Sequence, residues 1–387
     1  MSLNLQSLVS WNSAISVAAK QCRGDEALRW FLRMLCHSIC PNALTFLCIL
    51  KSCGSRAAID KGKEIHAQIL SSGFLESNLL LGTALLHMYV KCGLLSEAQH
   101  VHATLCVRDA ISWSALISGH VQECQCHEAL EYFGRMQAEG LSPNAITFTC
   151  TLKACGIKGA MEKGKQIHSV IVGDSMLKHD LLLGTALVDM YVKCGVVVNA
   201  HRVHDQLYAR DTVSWSALIV GYVQHGQGCT ALACFWQMVT ENLFPDAVIF
   251  VCILRACACV GDMDRVQEIH EDIERNGLLG KDLVLGTTLV GIYAKHGFLA
   301  QARFVFDKLR IRDVVSWTAL MLGYAEHGHN TEAIDCFENM QLDAISPDAI
   351  TFVCSLKACS NLGASGKVEA IHCQIEKEQL LEKDLSI

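Results

Sequence analysis

A chain of 387 residues with 51% hydrophobic and 18% charged residues is too apolar to be disordered, and a formal net charge of −7 is the wrong sign for holding nucleic acid by bulk charge alone. Twenty-one cysteines, an odd number without one Cys-x-x-Cys pair, argue against a paired zinc site and a secreted disulfide framework, and so for a reducing compartment. The most apolar run, Asn78 to Val90, ends at Lys91, below the ~18 residues of a membrane span, and no membrane partner is expected; Met1 to Gln6 carries neither a basic region nor an Arg- and Ser-rich leader, so a targeting segment is either missing from this chain or not needed.

From Leu8 the chain is a tandem array. Trp11, Trp113, Trp215 and Trp317 stand 102 residues apart, and the only four prolines, Pro41, Pro143, Pro245 and Pro347, keep the same step. So do Ile65-His66, Ile167-His168, Ile269-His270 and Ile371-His372. Such self-similarity overrides the prior of two or three globular domains and predicts a solenoid. Within Ala110 to Asp211, three sub-repeats of 35, 36 and 31 residues follow one another, 110–144, 145–180 and 181–211. Each holds an apolar-periodic segment such as AISWSALISGHVQ, a polar or Gly-containing break, and a second such segment. In HEALEYFGRMQAEG, Ala129, Leu130, Phe133 and Met136 recur at helical spacing. Each sub-repeat is expected to be a helical hairpin. Tetratricopeptide repeats also stack hairpins, but on a uniform period of about 34 residues, a length this chain never uses.

The runs DAISWSALISGHVQ, GLSPNAITFTCTLKACG, EKGKQIHSVIV and LLLGTALVDMYVKCG resemble the pentatricopeptide repeat family of plant organelle RNA-binding proteins, in its subclass with alternating P, L and S motifs. The resemblance implies an all-α, right-handed superhelical α-solenoid of tandem helix-turn-helix repeats in a mitochondrion or chloroplast. Its register places P motifs at 8–42, 110–144, 212–246 and 314–348 and L motifs at 43–78, 145–180, 247–282 and 349–384. S motifs fall at 79–109, 181–211 and 283–313, and 385–387 start a repeat that is cut off.

The family reads one RNA base per motif through the fifth and last residues of each. In P and S motifs the fifth residues are Asn12, Thr83, Ser114, Thr185, Ser216, Thr287 and Thr318; in L motifs they are the mostly apolar Leu47, Thr149, Val251 and Val353. The last residues are Asn42, Asn78, Asp109, Asn144, Asp180, Asp211, Asp246, Asp282, Asp313, Asp348 and Asp384. Asp and Asn are good helix N-caps, yet Ser and Thr would cap nearly as well and never occur here. A carboxylate only accepts hydrogen bonds and suits the ring N–H of guanine or uracil; an amide also donates and suits the bare ring nitrogen of adenine or cytosine. With the family's preference for purines opposite Ser or Thr, the implied partner is single-stranded organelle RNA of the form Y-n-G-A-n-G-G-n-G-G-n. The residues that would flank the bases, Val9, Leu80, Ile111, Leu182, Val213, Val284 and Val315, are in sequence indistinguishable from core.

Phosphate contacts are expected from Lys51, Lys153, Arg255 and Lys357, which share one L-motif position, and Lys91, Lys193 and Lys295, which share one S-motif position, all at the ends of first helices. Cations at helix C-termini are also favoured by the dipole alone. The tryptophans are read as packing between helices. The pairs Cys48/Cys53, Cys150/Cys155, Cys252/Cys257 and Cys354/Cys359 are read as small buried hydrophobes.

No catalytic residue, metal site or cofactor is expected. Editing members of the subclass carry extension motifs and a deaminase-like domain with His-x-Glu and Cys-x-x-Cys signatures; neither occurs here, and the recurrent histidines are too dispersed to share a metal. The expectation is a recognition module for C-to-U editing, with a deaminase or accessory factor supplied in trans. A protein scaffold, or a truncated non-functional duplicate, is the alternative. Two departures argue against uniform stacking. His102 and His204 stand where Phe306 does, and VQEIH and VEAIH replace GKEIH and GKQIH.

Overall fold

The computed structural model describes residues 7–21, 23–53, 59–173, 176–178 and 180–377; Asp384 and the cut-off repeat at 385–387 lie outside them. Among the described residues every regular element is helical. The chain forms two compact units, Met1–Ala209 and Arg210–Ile387. In the first, first helices α1 (Leu8–Lys20), α3 (Ala43–Ser52), α6 (Leu79–Lys91), α8 (Ala110–Gln122), α10 (Ala145–Lys158) and α12 (Leu181–Lys193) pack each on the next. Their second helices are α2 (Gly24–Cys36), α4 (Ile59–Ser71), α7 (Leu95–Thr104), α9 (Cys126–Ala138), α11 (Met161–Gly173) and α13 (Val197–Asp205). A short helix α5 (Phe74–Ser77) and a 3-10 turn at Met176–Lys178 precede α6 and α12, which the hairpin pattern did not foresee.

The second unit repeats the plan. Its first helices are α14 (Thr212–Gln224), α16 (Ala247–Val260), α18 (Leu283–Lys295), α20 (Val314–Glu326) and α22 (Ala349–Leu362). The second helices are α15 (Gly228–Thr240), α17 (Met263–Arg275), α19 (Leu299–Lys308), α21 (Asn330–Leu342) and α23 (Ser365–Lys377).

The two helix types are built differently because they bury different amounts. α9 buries Cys126, Ala129, Phe133 and Met136, one stripe at three- and four-residue spacing, and leaves the rest wet. α8, between two neighbouring first helices and its own α9, buries nine of its thirteen residues. Rings join each P hairpin to the next first helix. Phe31 meets Phe46 at 6.2 Å, Phe133 meets Phe148 at 6.2 Å, Phe235 meets Phe250 at 6.1 Å and Phe337 meets Phe352 at 5.9 Å. Trp11, Trp113, Trp215 and Trp317 are all buried.

The departures do not break the stacking. Gly62 and Gly164 sit under Met88 and Met190, whose sulfurs would lie 2.8 and 2.6 Å from an added Cβ. At the same places α17 and α18 carry Val266 and Ile292, both buried, so a larger residue on one helix is matched by a shorter, branched one on the other. His102 meets Trp113 edge-on at 4.4 Å, as Phe306 meets Trp317 at 4.5 Å, so the imidazole fills the phenyl's place.

The imidazole's burial has a pH cost. Desolvation holds His102 down at about 4, with the nearby Arg108 guanidinium acting in the same direction and Glu139 and Asp109 opposing. Between its ordinary 6.5 and about 4 the unfolded chain takes up a proton that the folded chain refuses, so stability falls as pH drops through that window. By pH 5 this one residue is expected to cost about 2 kcal/mol. Urea midpoints at pH 7.5 and pH 5 check this, and His102→Phe should reduce the difference between them.

The cysteine reading needs one correction. Cys53, Cys155, Cys257, Cys354 and Cys359 are buried, but Cys48, Cys150 and Cys252 are only partly buried. Burial pushes Cys53 up to about 11, Cys155 to about 12 and Cys257 to about 11, which keeps these thiols protonated and inert.

Candidate nucleic-acid interface

A first helix turns about 100° per residue, so its second, fifth, ninth and thirteenth residues share an arc of about 80°. The second and thirteenth residues of that arc are left uncovered by the neighbours, whereas the fifth residues Asn12, Thr83, Ser114 and Thr318 at its edge are only 5% to 8% exposed. At its second position stand Val9, Leu80, Ile111, Leu182, Val213, Val284 and Val315, between 55% and 77% exposed. Leu44, Ile146, Val248 and Ile350 take the same place in the L-motif helices and are 54% to 61% exposed. A large apolar side chain in water at the second position of every first helix is not core packing, and it is the feature that sequence alone could not separate from core.

In the P and S motifs the fifth and last residues supply a polar pair, and in the L motifs mostly the last residue alone. The last residue of every described motif caps the helix that follows, its Oδ1 accepting the N–H of the third helical residue at 2.8 to 3.1 Å. The capping role is therefore real, and it uses one oxygen. The other atom, Oδ2 of Asp or Nδ2 of Asn, makes no described cap bond.

Fifth and last residues meet directly in two P motifs. Asn12 Nδ2 donates to Asn42 Oδ1 at 3.1 Å, and Ser114 Oγ lies 3.3 Å from Asn144 Oδ1. In the fourth P motif Thr318 and Asp348 are joined through Thr351, 2.8 Å from Thr318 Oγ1 and 2.7 Å from Asp348 Oδ1. Ser216 and Asp246 share no described bond. Thr83 and Thr185 donate to the carbonyls of Leu79 and Leu181 on their own helices, both at 2.9 Å. Their predicted partners Asp109 and Asp211 cap α8 and α14.

The pair Thr287 and Asp313 lies in a groove of about 580 Å³ between α16, α18 and α20, with Val284 and Val315 at its walls and Arg255 and Lys295 along it. Gly291 opens this space: His87 and Asp189 hold the same position in α6 and α12, whereas a Cβ on Gly291 would meet only Ala319, at 3.9 Å. The Thr287 hydroxyl has no hydrogen-bond partner among the described residues.

All seven predicted cations are exposed. Two corrections apply. Lys153, Arg255 and Lys357 are not at helix ends, because α10, α16 and α22 continue five residues beyond them to Lys158, Val260 and Leu362. The dipole, which acts within the last turn, does not account for these three. Lys193 is engaged with Asp189 Oδ2 at 2.7 Å, while Lys51, Lys91, Lys153, Arg255, Lys295 and Lys357 form no described ion pair.

The repeated histidines have a structural use: Nδ1 of His66 and His168 bonds the hydroxyls of Tyr89 and Tyr191 at 2.8 Å, and His270 bonds Tyr293 at 3.2 Å. Among the described residues no group of three His, Cys, Asp or Glu is placed to hold a metal, and no helix is long and apolar enough to cross a membrane.

These hairpins and their one uncovered face define an all-α helical-repeat solenoid. Its nature is confirmed by comparison. The PPR repeat family pattern matches residues 108–156 and 312–361, and the PPR repeat pattern matches residues 9–39, 213–243 and 248–278. In Arabidopsis thaliana, pentatricopeptide repeat-containing protein At4g18520, chloroplastic, is 33% identical over 374 residues, 96% of this chain and 60% of that protein. Protein At3g09040, mitochondrial, is 31% identical over 368 residues, 95% of this chain and 36% of that protein. The crystal structure of the pentatricopeptide repeat protein PPR10 in complex with an 18-nt psaJ RNA element is similar in fold, with a TM-score of 0.79 at 19% identity, over 96% of this chain and 56% of that one. PPR10 from maize gives 0.66 over 96% and 59%. The chain belongs to the pentatricopeptide repeat family, and it spans about 60% of At4g18520 and less of At3g09040.

Proposed function

We propose that this chain binds single-stranded RNA in a sequence-specific way along the uncovered face of its first helices, one base per motif, in the P-L-S register given above. The observation that carries the reading is the exposed apolar residue at the second position of every first helix, together with the Asp or Asn that caps each first helix after α1 through Oδ1 alone. An apolar side chain on each side of a base and a hydrogen-bonding pair on its edge is what a splayed single strand needs. PPR10 was crystallised in complex with an 18-nt psaJ RNA element. The target is Y-n-G-A-n-G-G-n-G-G-n, and the chain is the recognition module of organelle RNA processing, in a chloroplast or mitochondrion like the relatives' own names. C-to-U editing, with the chemistry supplied in trans, is the processing reaction it fits.

The test is an anisotropy titration against the 11-nucleotide target, a base-scrambled RNA and the matching DNA at several salt concentrations. With about five phosphates neutralised, log K should fall against log salt with a slope of about −3.5, about −0.7 per contact. Lys91→Ala should flatten that slope by about 0.7; Lys193→Ala, already paired with Asp189, should do less. Equal binding to all three oligonucleotides, or none, would leave the protein-scaffold reading.

A further inference from the structure

The reading side chains of the four P motifs are not held alike, and the difference lies in a residue of the following motif. Thr45, Thr147 and Thr351, third residues of α3, α10 and α22, are 0% exposed. Each reaches the fifth residue of the motif before it. Thr45 Oγ1 donates to Asn12 Oδ1 at 2.6 Å, and the Ser114–Thr147 and Thr318–Thr351 hydroxyls are 2.6 and 2.8 Å apart. Each also stands 2.7 to 2.9 Å from the Oδ1 of the cap, Asn42, Asn144 or Asp348. In α16 the same place holds Ile249, also 0% exposed, which has no hydroxyl to offer. Asp246 consequently caps without the reciprocal bond that Asn42, Asn144 and Asp348 receive.

We propose that Thr45, Thr147 and Thr351 are positioning residues that fix which hydrogen-bonding groups the preceding fifth residue shows to its base, and that Ile249 leaves Ser216 without that control. The inference rests on the base-reading function proposed above. A serine hydroxyl has one proton. If Thr147 donates to Asn144 Oδ1, its oxygen accepts the Ser114 proton; if Ser114 donates to the Ala110 carbonyl at 2.5 Å, Thr147 donates to Ser114 instead. Either order leaves Ser114 with lone pairs and no proton for the base. For Asn12 the donor Thr45 holds the amide oxygen inward, Nδ2 bonds Asn42, and the second N–H is left for the base. Ser216 can turn either way, donor or acceptor, so the seventh base is read less strictly than the fourth and tenth.

The device is confined to P motifs. In S motifs Thr83 and Thr185 commit their protons to their own helix carbonyls, and the third residue of the next helix, Ser112, donates to the Asp109 carbonyl at 2.9 Å rather than reaching back.

The experiment measures Kd for the 11-nucleotide RNA and its single-base variants with Thr147→Val, Thr147→Ser, Ile249→Thr and, in parallel, Asn144→Asp. Thr147→Val is expected to reduce discrimination at the fourth base about threefold to tenfold, the worth of one hydrogen bond, with discrimination at the third base unchanged. Thr147→Ser should restore it, and Ile249→Thr should sharpen the seventh base by a similar factor. Unchanged selectivity in Thr147→Val and Ile249→Thr, while Asn144→Asp shifts the fourth base, would overturn this proposal and leave base reading intact. An equal loss at every base would make Thr147 merely structural and also overturn it. If Asn144→Asp changes nothing either, the base-reading function itself falls. Ile249→Thr adds a hydroxyl to a folded protein, so its result stands even where Thr147→Val folds poorly.

Discussion

Gly323→Val is expected to lower the stability of the second unit by at least about 3 kcal/mol, because this is overpacking against a backbone rather than a side chain. A Cβ on Gly323 would lie 2.4 Å from Ala294 Cβ, 2.9 Å from Ala294 Cα and 3.1 Å from its carbonyl carbon. α18 and α20 would have to move apart, and no rotamer change relieves that. For a body of this size the thermal midpoint should fall by about 6 to 12 °C. Gly119, two periods earlier, meets side chains, Val90 Cγ1 at 2.8 Å and Leu95 Cδ2 at 3.0 Å. Alanine also favours a helix over glycine by about 1 kcal/mol, so Gly119→Ala, which side-chain shifts can partly relieve, should destabilise less than Gly323→Ala. Val17 stands at this place in α1, half exposed, with no described first helix before it. A Gly323→Ala protein as stable as the parent would contradict the close approach of α18 and α20.

The hairpins were legible because the 102-residue step repeats landmark residues whose jobs are fixed by packing: the tryptophans, the Asp or Asn before each first helix after α1, the Ile-His pairs. What was not legible follows from the same packing. A first helix such as α8 is apolar almost all round, so periodicity cannot tell Ile111, 55% exposed, from Leu116, fully buried. Only the stacking of neighbours decides it. Gly291 reads as a helix-weakening residue until its loss of a side chain is seen to open the groove beside Thr287. Thr147 reads as a capping-box residue until its hydroxyl is found 2.6 Å from Ser114 of the preceding motif. The exchange of Gly62 and Met88 for Val266 and Ile292 looks like decay in one sequence window and like compensation once both helices are in view.

Asn144→Asp is expected to move the preference at the fourth base from adenine to guanine, by roughly tenfold to a hundredfold, the range for leaving one polar group facing another of its own kind. The geometry makes this substitution cleaner than sequence alone suggested. The Thr147 N–H needs an oxygen, and Asn144 supplies Oδ1 at 2.9 Å, so the amide cannot flip without losing the cap. Its Nδ2 is therefore the atom left for the base, and a donor matches the bare ring nitrogen of adenine. Aspartate keeps the same cap, as Asp348 does in α22 at 2.8 Å, while replacing that donor with an acceptor, which matches the ring N–H of guanine. Folding and stability should hold to within about 0.5 kcal/mol, as for a surface substitution that retains its hydrogen bond. Binding of the G4 variant of the target, compared with the A4 parent, reads the switch directly. A folded Asn144→Asp protein that still prefers adenine would mean that the spare atom of the cap does not face the base, and every base assignment made from the last residues would fall with it.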